Sequence, residues 1–280
     1  MKAIVALPAY DRLDLLSQCV SGFEKNDTSL FDLMIFPDKT NAEDSERIDR
    51  IARNSALNVR LHPRPSERLG CNLNVVTSMR VAGEMDYTHL ILVGSDILIS
   101  NNFVHDLLVL SEKFDAYSAA PTTGRHPLEV KLENVNSLIH GSITGQTRCI
   151  PMHHWRTVAP IITAVSERFH PIAGWNQRSV RDCQMVMRVM LDAARKIETP
   201  FTKPMIDHMG IGDLNAGEDG LLVTALSMYG IPMVSYTINR ASHPSNAGTH
   251  TTKEVWEEHY AGVVIDDLPK ADPNKFRFVD

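Results

Sequence analysis

Leu90-Ile91-Leu92-Val93-Gly94-Ser95-Asp96 is an apolar run that breaks at a glycine and ends on a carboxylate. A short run without polar alternation suits a strand buried on both faces, and the Gly-Ser-Asp behind it suits the loop at that strand's carboxyl end. Toward the amino terminus the same kind of run recurs at residues 2–7 and 31–36, and residues 57–61 read as a further strand. The segments between these runs have the helical period. Leu13, Leu15, Leu16, Cys19, Val20 and Phe23 are the apolar residues of the first such helix, with Asp11 placed as its N-cap. Ile48 and Ile51 lie on one face of a charged helix over 41–52, and Leu73, Val76, Met79 and Val81 line a third helix. Strands that are almost wholly apolar, each followed by such a helix, predict an α/β fold with a mostly parallel sheet and helices on both faces.

The carboxy-terminal half is less regular. Residues 116–120 and 147–150 read as short strands, and 154–168 and 179–196 as helices. Gly217-Glu218-Asp219-Gly220-Leu221-Leu222 opens a further helix, which Gly230 ends with Pro232 just beyond. Residues 263–280, rich in Asp, Pro and Lys, read as a surface extension. No internal repeat or low-complexity linker interrupts 1–262, which is expected to form one domain with halves 1–100 and 101–262.

The chain has 280 residues, 43% hydrophobic and 22% charged, enough to bury a core and to exclude global disorder. A formal net charge of -6 gives no electrostatic reason for non-specific nucleic-acid binding. Cys19, Cys71, Cys149 and Cys183 make no CxxC pair and fit the reduced thiols of a cytoplasmic protein. No apolar run approaches the ~20 residues of a membrane helix, so no span is expected. The G-x-G-x-x-G, G-x-x-x-x-G-K-[ST] and G-x-S-x-G motifs are missing as well.

Ligands of open α/β sheets bind beyond the carboxyl ends of the strands. That rule brings Pro8-Ala9-Tyr10-Asp11-Arg12, Pro37-Asp38-Lys39-Thr40 and Gly94-Ser95-Asp96 to one rim. Asp96 could hold a divalent cation, and His243, behind the apolar run 232–236, could add a nitrogen ligand, which favours Mn²⁺ over Mg²⁺. Arg68, just before Gly70, carries a guanidinium of the shape that suits phosphate oxygens. Glu218 and Asp219 open a helix, where acids are favoured by the dipole and where a carboxylate can also serve as a general base. Trp175 offers an aromatic face in the second half.

From Met1 to about His243, the order and spacing of these groups resembles the GT-A glycosyltransferases, in particular family 2 of that group. The loop at Pro8 is similar to the family's P-x-Y-N-R loop, the loop at Asp38 looks like its V-D-D-G-S loop, and Gly70 to Asn74 resembles its G-x-x-x-N segment. Gly94-Ser95-Asp96 stands at its D-x-D motif with the first acid missing, while Glu218-Asp219 and His243 match its E-D motif and late histidine. The resemblance implies a Rossmann-like GT-A fold in which 1–100 binds a nucleotide sugar and 101–262 the acceptor. It implies that Pro8, Tyr10, Asp11, Asp38, Arg68 and Ser95 meet the nucleotide, and that Asp96 and His243 hold Mn²⁺ or Mg²⁺. Asp219 would then be the base, Glu218 would hold the acceptor and Trp175 would face it. The reaction implied is transfer of a sugar from a nucleoside-diphosphate donor to the hydroxyl of a glycan, metabolite or modified nucleobase, with inversion. A retaining enzyme of the same fold and a non-catalytic nucleotide-sugar-binding relative stay open, the latter favoured by Gly94. Nucleotidyl transfer onto a sugar phosphate is disfavoured, because Pro8-Ala9-Tyr10 stands where those enzymes carry a glycine-rich loop.

Overall fold

The computed structural model describes residues 1–120, 135–140, 147–169, 180–196, 218–244, 257, 265 and 268–279, with the backbone alone for 180–184 and 218–219. The four strands expected in the first third are β1 (Ala3–Ala9), β2 (Phe31–Pro37), β3 (Val59–Leu61) and β4 (His89–Val93). They lie parallel in the order β4-β1-β2-β3. Five more strands, β6 (Tyr117–Ala119), β7 (Ser137–His140), β8 (Thr147–Pro151), β9 (Met233–Tyr236) and β11 (Arg277–Phe278), extend this to a sheet of nine strands among the described residues. Its order is β11-β7-β9-β6-β8-β4-β1-β2-β3. β8 runs antiparallel to both neighbours and β7 antiparallel to β9, so the sheet is mixed although most of its strands point one way.

Alternation along the strands sorts the core into two layers. Ala3, Val5 and Leu7 of β1, with Leu33, Ile35, Ile91 and Val93, face α1 (Leu13–Glu24), α2 (Ala42–Asn54) and α4 (Phe103–Phe114). Ile4 and Ala6, with Met34, Phe36, Leu90 and Leu92, face α3 (Gly70–Gly83), α5 (Met152–Phe169), α6 (Val180–Ala194) and α7 (Glu218–Met228). Both sides of the sheet are therefore dry at β1, β2 and β4. That explains why the strands read as unbroken apolar runs, since each fully buried Leu or Ile contributes about 1.5–3 kcal/mol. A Cβ at Gly83 would run into the indole of buried Trp155, so glycine there sets the close approach of α3 to α5. Among the described residues no helix is long and apolar enough to cross a membrane.

Residues 268–279 lie at the surface, as the composition suggests, but are not loose. Ala271 is buried, its N–H donates to Asp106 Oδ1 at 2.9 Å, and β11 adds a strand beside β7.

His89 opens β4 in a buried position, and burial pushes its imidazole down to about 4, helped by His153 and the chain's amino terminus and opposed by Asp115. The folded value lies below the ordinary 6.5, so the unfolded chain takes up the proton first as pH falls. The stabilisation is complete above about pH 6.5 and is lost between there and about pH 4, amounting to about 3 kcal/mol. Urea denaturation with chelator present, compared at pH 7 and pH 4.5, should register this loss in the wild type and a much shallower one in His89→Leu. An equal loss in both would assign the acid sensitivity to other groups.

Candidate active site

The rim at the carboxyl ends of β1, β2 and β4 is built by short-range ties. The N–H of Asp38 donates to the carbonyl of Ala9 at 2.7 Å, which locks the end of β2 to the end of β1. The buried Asp38 carboxylate accepts from the N–H groups of Lys39 (2.7 Å) and Leu69 (2.8 Å) on Oδ1 and of Gly70 (2.9 Å) on Oδ2. Asp38 thus satisfies free donors at the start of α3. A nucleotide base N–H would have to share one of these oxygens. Gly70 adopts φ +76 at this junction, a left-handed conformation that costs other residues about 1–2 kcal/mol. Across the rim, the Arg68 guanidinium lies 4.1 Å above the Tyr10 ring, a cation–π pair, while Pro8 stays within β1 opposite Phe36.

α1 is not capped by Asp11, which is exposed. The helix begins at Leu13 behind Arg12, whose carbonyl accepts the N–H groups of Leu15 and Leu16, each at 3.0 Å. Arg12 stands in the left-handed region at φ 34, ψ 44 with no side-chain cap, and its guanidinium Nη1 reaches Asp96 Oδ2 at 2.5 Å. The cap is shifted by one residue to the residue that makes this ion pair. A strained backbone at Arg12 is held by a charge-assisted hydrogen bond to a residue 84 positions away.

Beyond β4, the Ile97 N–H closes a turn onto the Gly94 carbonyl at 3.1 Å, leaving Ser95 and Asp96 at its tip. The chain then forms β5 (Leu98–Ile99), which pairs antiparallel with β10 (Ala241–Ser242), Ser242 lying opposite Leu98. This small ribbon delivers the next residue, His243, to Asp96. The two lie 3.2 Å apart, Nε2 to Oδ2, with His243 buried. Burial pushes the Asp96 carboxyl up, but the hydrogen bond and charge of His243 and the Arg12 guanidinium outweigh it, and the net shift is below the ordinary carboxylate value.

α7 approaches the same rim from behind. It ends in a turn in which Gly230, at φ +63, donates to the Ser227 carbonyl (3.0 Å) and Ile231 to the Leu226 carbonyl (3.1 Å). The chain then enters β9, which points the same way as β4. The 11 residues of α7, about 16 Å of helix, therefore carry its first turn back toward the carboxyl-end rim. Glu218 and Asp219 begin that turn, and Trp175 lies outside the described residues.

Asp96 and His243 are thus brought together, and Tyr10, Arg68 and Asp38 share their rim. Sequence reasoning missed Arg12 as a site residue. A salient arginine in the Pro8 loop was visible in the sequence, but its pairing with Asp96 was not.

No protein-family model and no curated protein matches this chain. Among solved structures the chain is similar to S. aureus TarS 1–349, with 12% identity over 71% of this chain and 66% of that one and a TM-score of 0.48. TarS 1–349 in complex with UDP-GlcNAc gives 12% identity, 71% and 68% coverage and a TM-score of 0.49. The mannosyltransferase PcManGT from Pyrobaculum calidifontis, in complex with GDP-Man and Mn²⁺, gives 14% identity, 81% and 74% coverage and a TM-score of 0.45. The chain spans just under two thirds of the first of these.

Proposed function

We propose that this chain is a metal-dependent GT-A glycosyltransferase that moves a sugar from a nucleoside-diphosphate donor to a hydroxyl acceptor with inversion. One observation carries the reading: the carboxylate at the end of β4 meets a histidine from 147 positions later, delivered by a ribbon whose only described pairing is β5 with β10. An ordinary strand-end aspartate has no need of such a partner.

On this reading Tyr10 and Arg68 flank the nucleotide, with Pro8, Asp11, Asp38 and Ser95 along the same edge. A carboxylate oxygen and an imidazole nitrogen 3.2 Å apart fit a divalent cation of the Mn²⁺ or Mg²⁺ type, so Asp96 and His243 would hold it. Such a cation stabilises negative charge on a departing diphosphate when bound. Arg12 now neutralises the same Asp96 oxygen and would turn to the donor's phosphates once that oxygen is taken, a role suited to a guanidinium fork. Asp219 would take the proton of the acceptor hydroxyl, Glu218 would hold the acceptor and Trp175 would pack on it. No protein nucleophile is required.

The Arg12–Asp96 pair, together with glycine at the missing first acid, favours one further reading: a transferase in which Arg12 itself supplies the positive charge and no metal is needed. A thermal-shift panel of UDP, GDP, CDP, ADP and TDP, each with and without Mn²⁺, separates the two. A ligand at ~100 times its Kd adds about 2.7 kcal/mol, which raises the midpoint by roughly 5 °C or more. We expect one diphosphate to stabilise the chain only with Mn²⁺, and Asp96→Asn to abolish that shift. A shift indifferent to Mn²⁺ but lost in Arg12→Ala supports the metal-free enzyme. Silence from all five removes both.

A further inference from the structure

The opposite rim, at the amino ends of β4 and β6, carries a second convergence of ligand atoms. α4 closes at Asp115 with the Ala116 N–H donating to the Ser111 carbonyl (3.0 Å) and the Asp115 N–H to the Glu112 carbonyl (3.4 Å). This closure requires a left-handed residue where glycine is usual, and Asp115 fills it at φ 45, ψ 53. Aspartate is among the few side chains that tolerate the conformation, and here it projects a carboxylate from the helix end. α5 starts alongside, pinned to the sheet by the Met152 N–H donating to the Thr88 carbonyl at 2.9 Å, and places His153 and His154 in its first turn.

Both imidazoles turn Nε2 toward one oxygen. Asp115 Oδ1 lies 3.0 Å from His153 Nε2 and 3.3 Å from His154 Nε2, and the two rings sit 4.0 Å apart between centroids. One ligand atom from each of the three residues lies within 4.8 Å of the others. A single hydrogen bond to the carboxylate would need only one histidine. In a tetrahedral site with bonds of about 2.0–2.1 Å, neighbouring ligand atoms stand roughly 3.3 Å apart, close to the separations already present.

We propose that Asp115, His153 and His154 form a binding site for a divalent transition metal of the zinc class, tying the end of α4 to the start of α5. Two imidazole nitrogens and one carboxylate oxygen are a zinc-type donor set, whereas Mn²⁺ and Mg²⁺ favour the oxygen-rich surroundings of Asp96 and a donor's phosphates. The site opens to solvent, since the Asp115 and His153 side chains are 67% and 62% exposed, which leaves a fourth position for water. Two features oppose the metal. The first turn of α5 presents its positive end, and His154 Nε2 also lies 2.8 Å from the Asp115 carbonyl, a contact the metal would replace. The Asp115 charge offsets the first, and a change of tautomer at His154 releases the second. The site does not depend on what the Asp96 rim does.

The test is zinc titration calorimetry on the full chain after chelator treatment. Asp115→Asn keeps a side chain that tolerates the left-handed turn while removing the anionic ligand, and His153→Ala changes an exposed residue, so both should fold. We expect the wild type to bind one zinc ion at this site, and each variant to bind it about 10–100-fold more weakly or not at all. Asp96→Asn should bind that zinc as the wild type does. Wild-type zinc affinity in both Asp115→Asn and His153→Ala, no uptake by the wild type, or loss of the zinc in Asp96→Asn would each overturn the proposal.

Discussion

Asp106→Asn is expected to cost the chain about 3–5 kcal/mol, because it strips the partner from a fully buried guanidinium. Asp106 and Arg240 are both 0% exposed, and Arg240 Nε donates to Asp106 Oδ2 at 2.6 Å. The other carboxylate oxygen takes the Ala271 N–H (2.9 Å) and faces His105 Nδ1 (2.9 Å). Arg240 Nη2 donates to the Val135 carbonyl at 2.6 Å, and its Cζ lies 3.5 Å over the ring of Tyr236, whose hydroxyl donates to the Asp106 carbonyl at 2.7 Å. One ion pair therefore joins α4, the approach to β7, the end of β9 and the carboxy-terminal segment. It also reaches the site. The Arg240 carbonyl accepts the Ser100 N–H at 2.9 Å, and the next two residues are β10, which aligns His243 with Asp96. Urea denaturation should register the loss, and weaker metal-dependent nucleotide binding should accompany it. The double variant Asp106→Leu/Arg240→Met, which buries no charge, should recover most of the stability. A single-variant loss below about 1 kcal/mol would mean that the pair contributes no more than a surface salt bridge.

The same geometry explains what the sequence could and could not reveal. β1, β2 and β4 were legible because both faces of the sheet are covered, so burial writes itself into consecutive residues. α2 was legible through Ile48 and Ile51 on one face, its start being fixed locally by Asn41 accepting the Asp44 N–H at 2.8 Å, and α7 through Gly230 at its end. α4 went unassigned although Phe103, Val104, Leu107 and Leu108 are buried, because its start signal is not local. Asn102 makes no side-chain cap, and the Val104 N–H is instead taken at 3.0 Å by Asn26 Oδ1, from the end of α1. β5 and β10 are two residues each and exist only as partners of one another, so neither carries a period. For the same reason Asp96 and His243 could be suspected separately, while Arg12 could not be joined to them: the contact spans 84 residues and depends on a left-handed turn at a residue type that rarely adopts one. Asp38 was visible as a strand-end acid. Its three backbone donors, two of them from the start of α3, were not.

Asp219→Asn should lower sugar transfer by ~10²-fold or more while leaving the nucleotide-induced thermal shift intact. The expectation separates two roles that a helix start offers equally well. If Asp219 merely complements the positive end of α7, its charge contributes about 0.3–1 kcal/mol of stability, and the isosteric amide loses that and nothing in rate. If it accepts the acceptor's proton, the amide keeps shape and donor affinity but cannot take the proton, and the deficit falls on turnover alone. Burial favours a fixed platform for either role, since Gly220, Leu221 and Leu222, directly behind it, are packed into the core between the sheet and α3 and α5. A loss confined to kcat, with stability changed by less than about 1 kcal/mol, would identify the base. Wild-type turnover would reduce Asp219 to a helix-start charge, leaving the chain without an assigned base and favouring a retaining course over an inverting one.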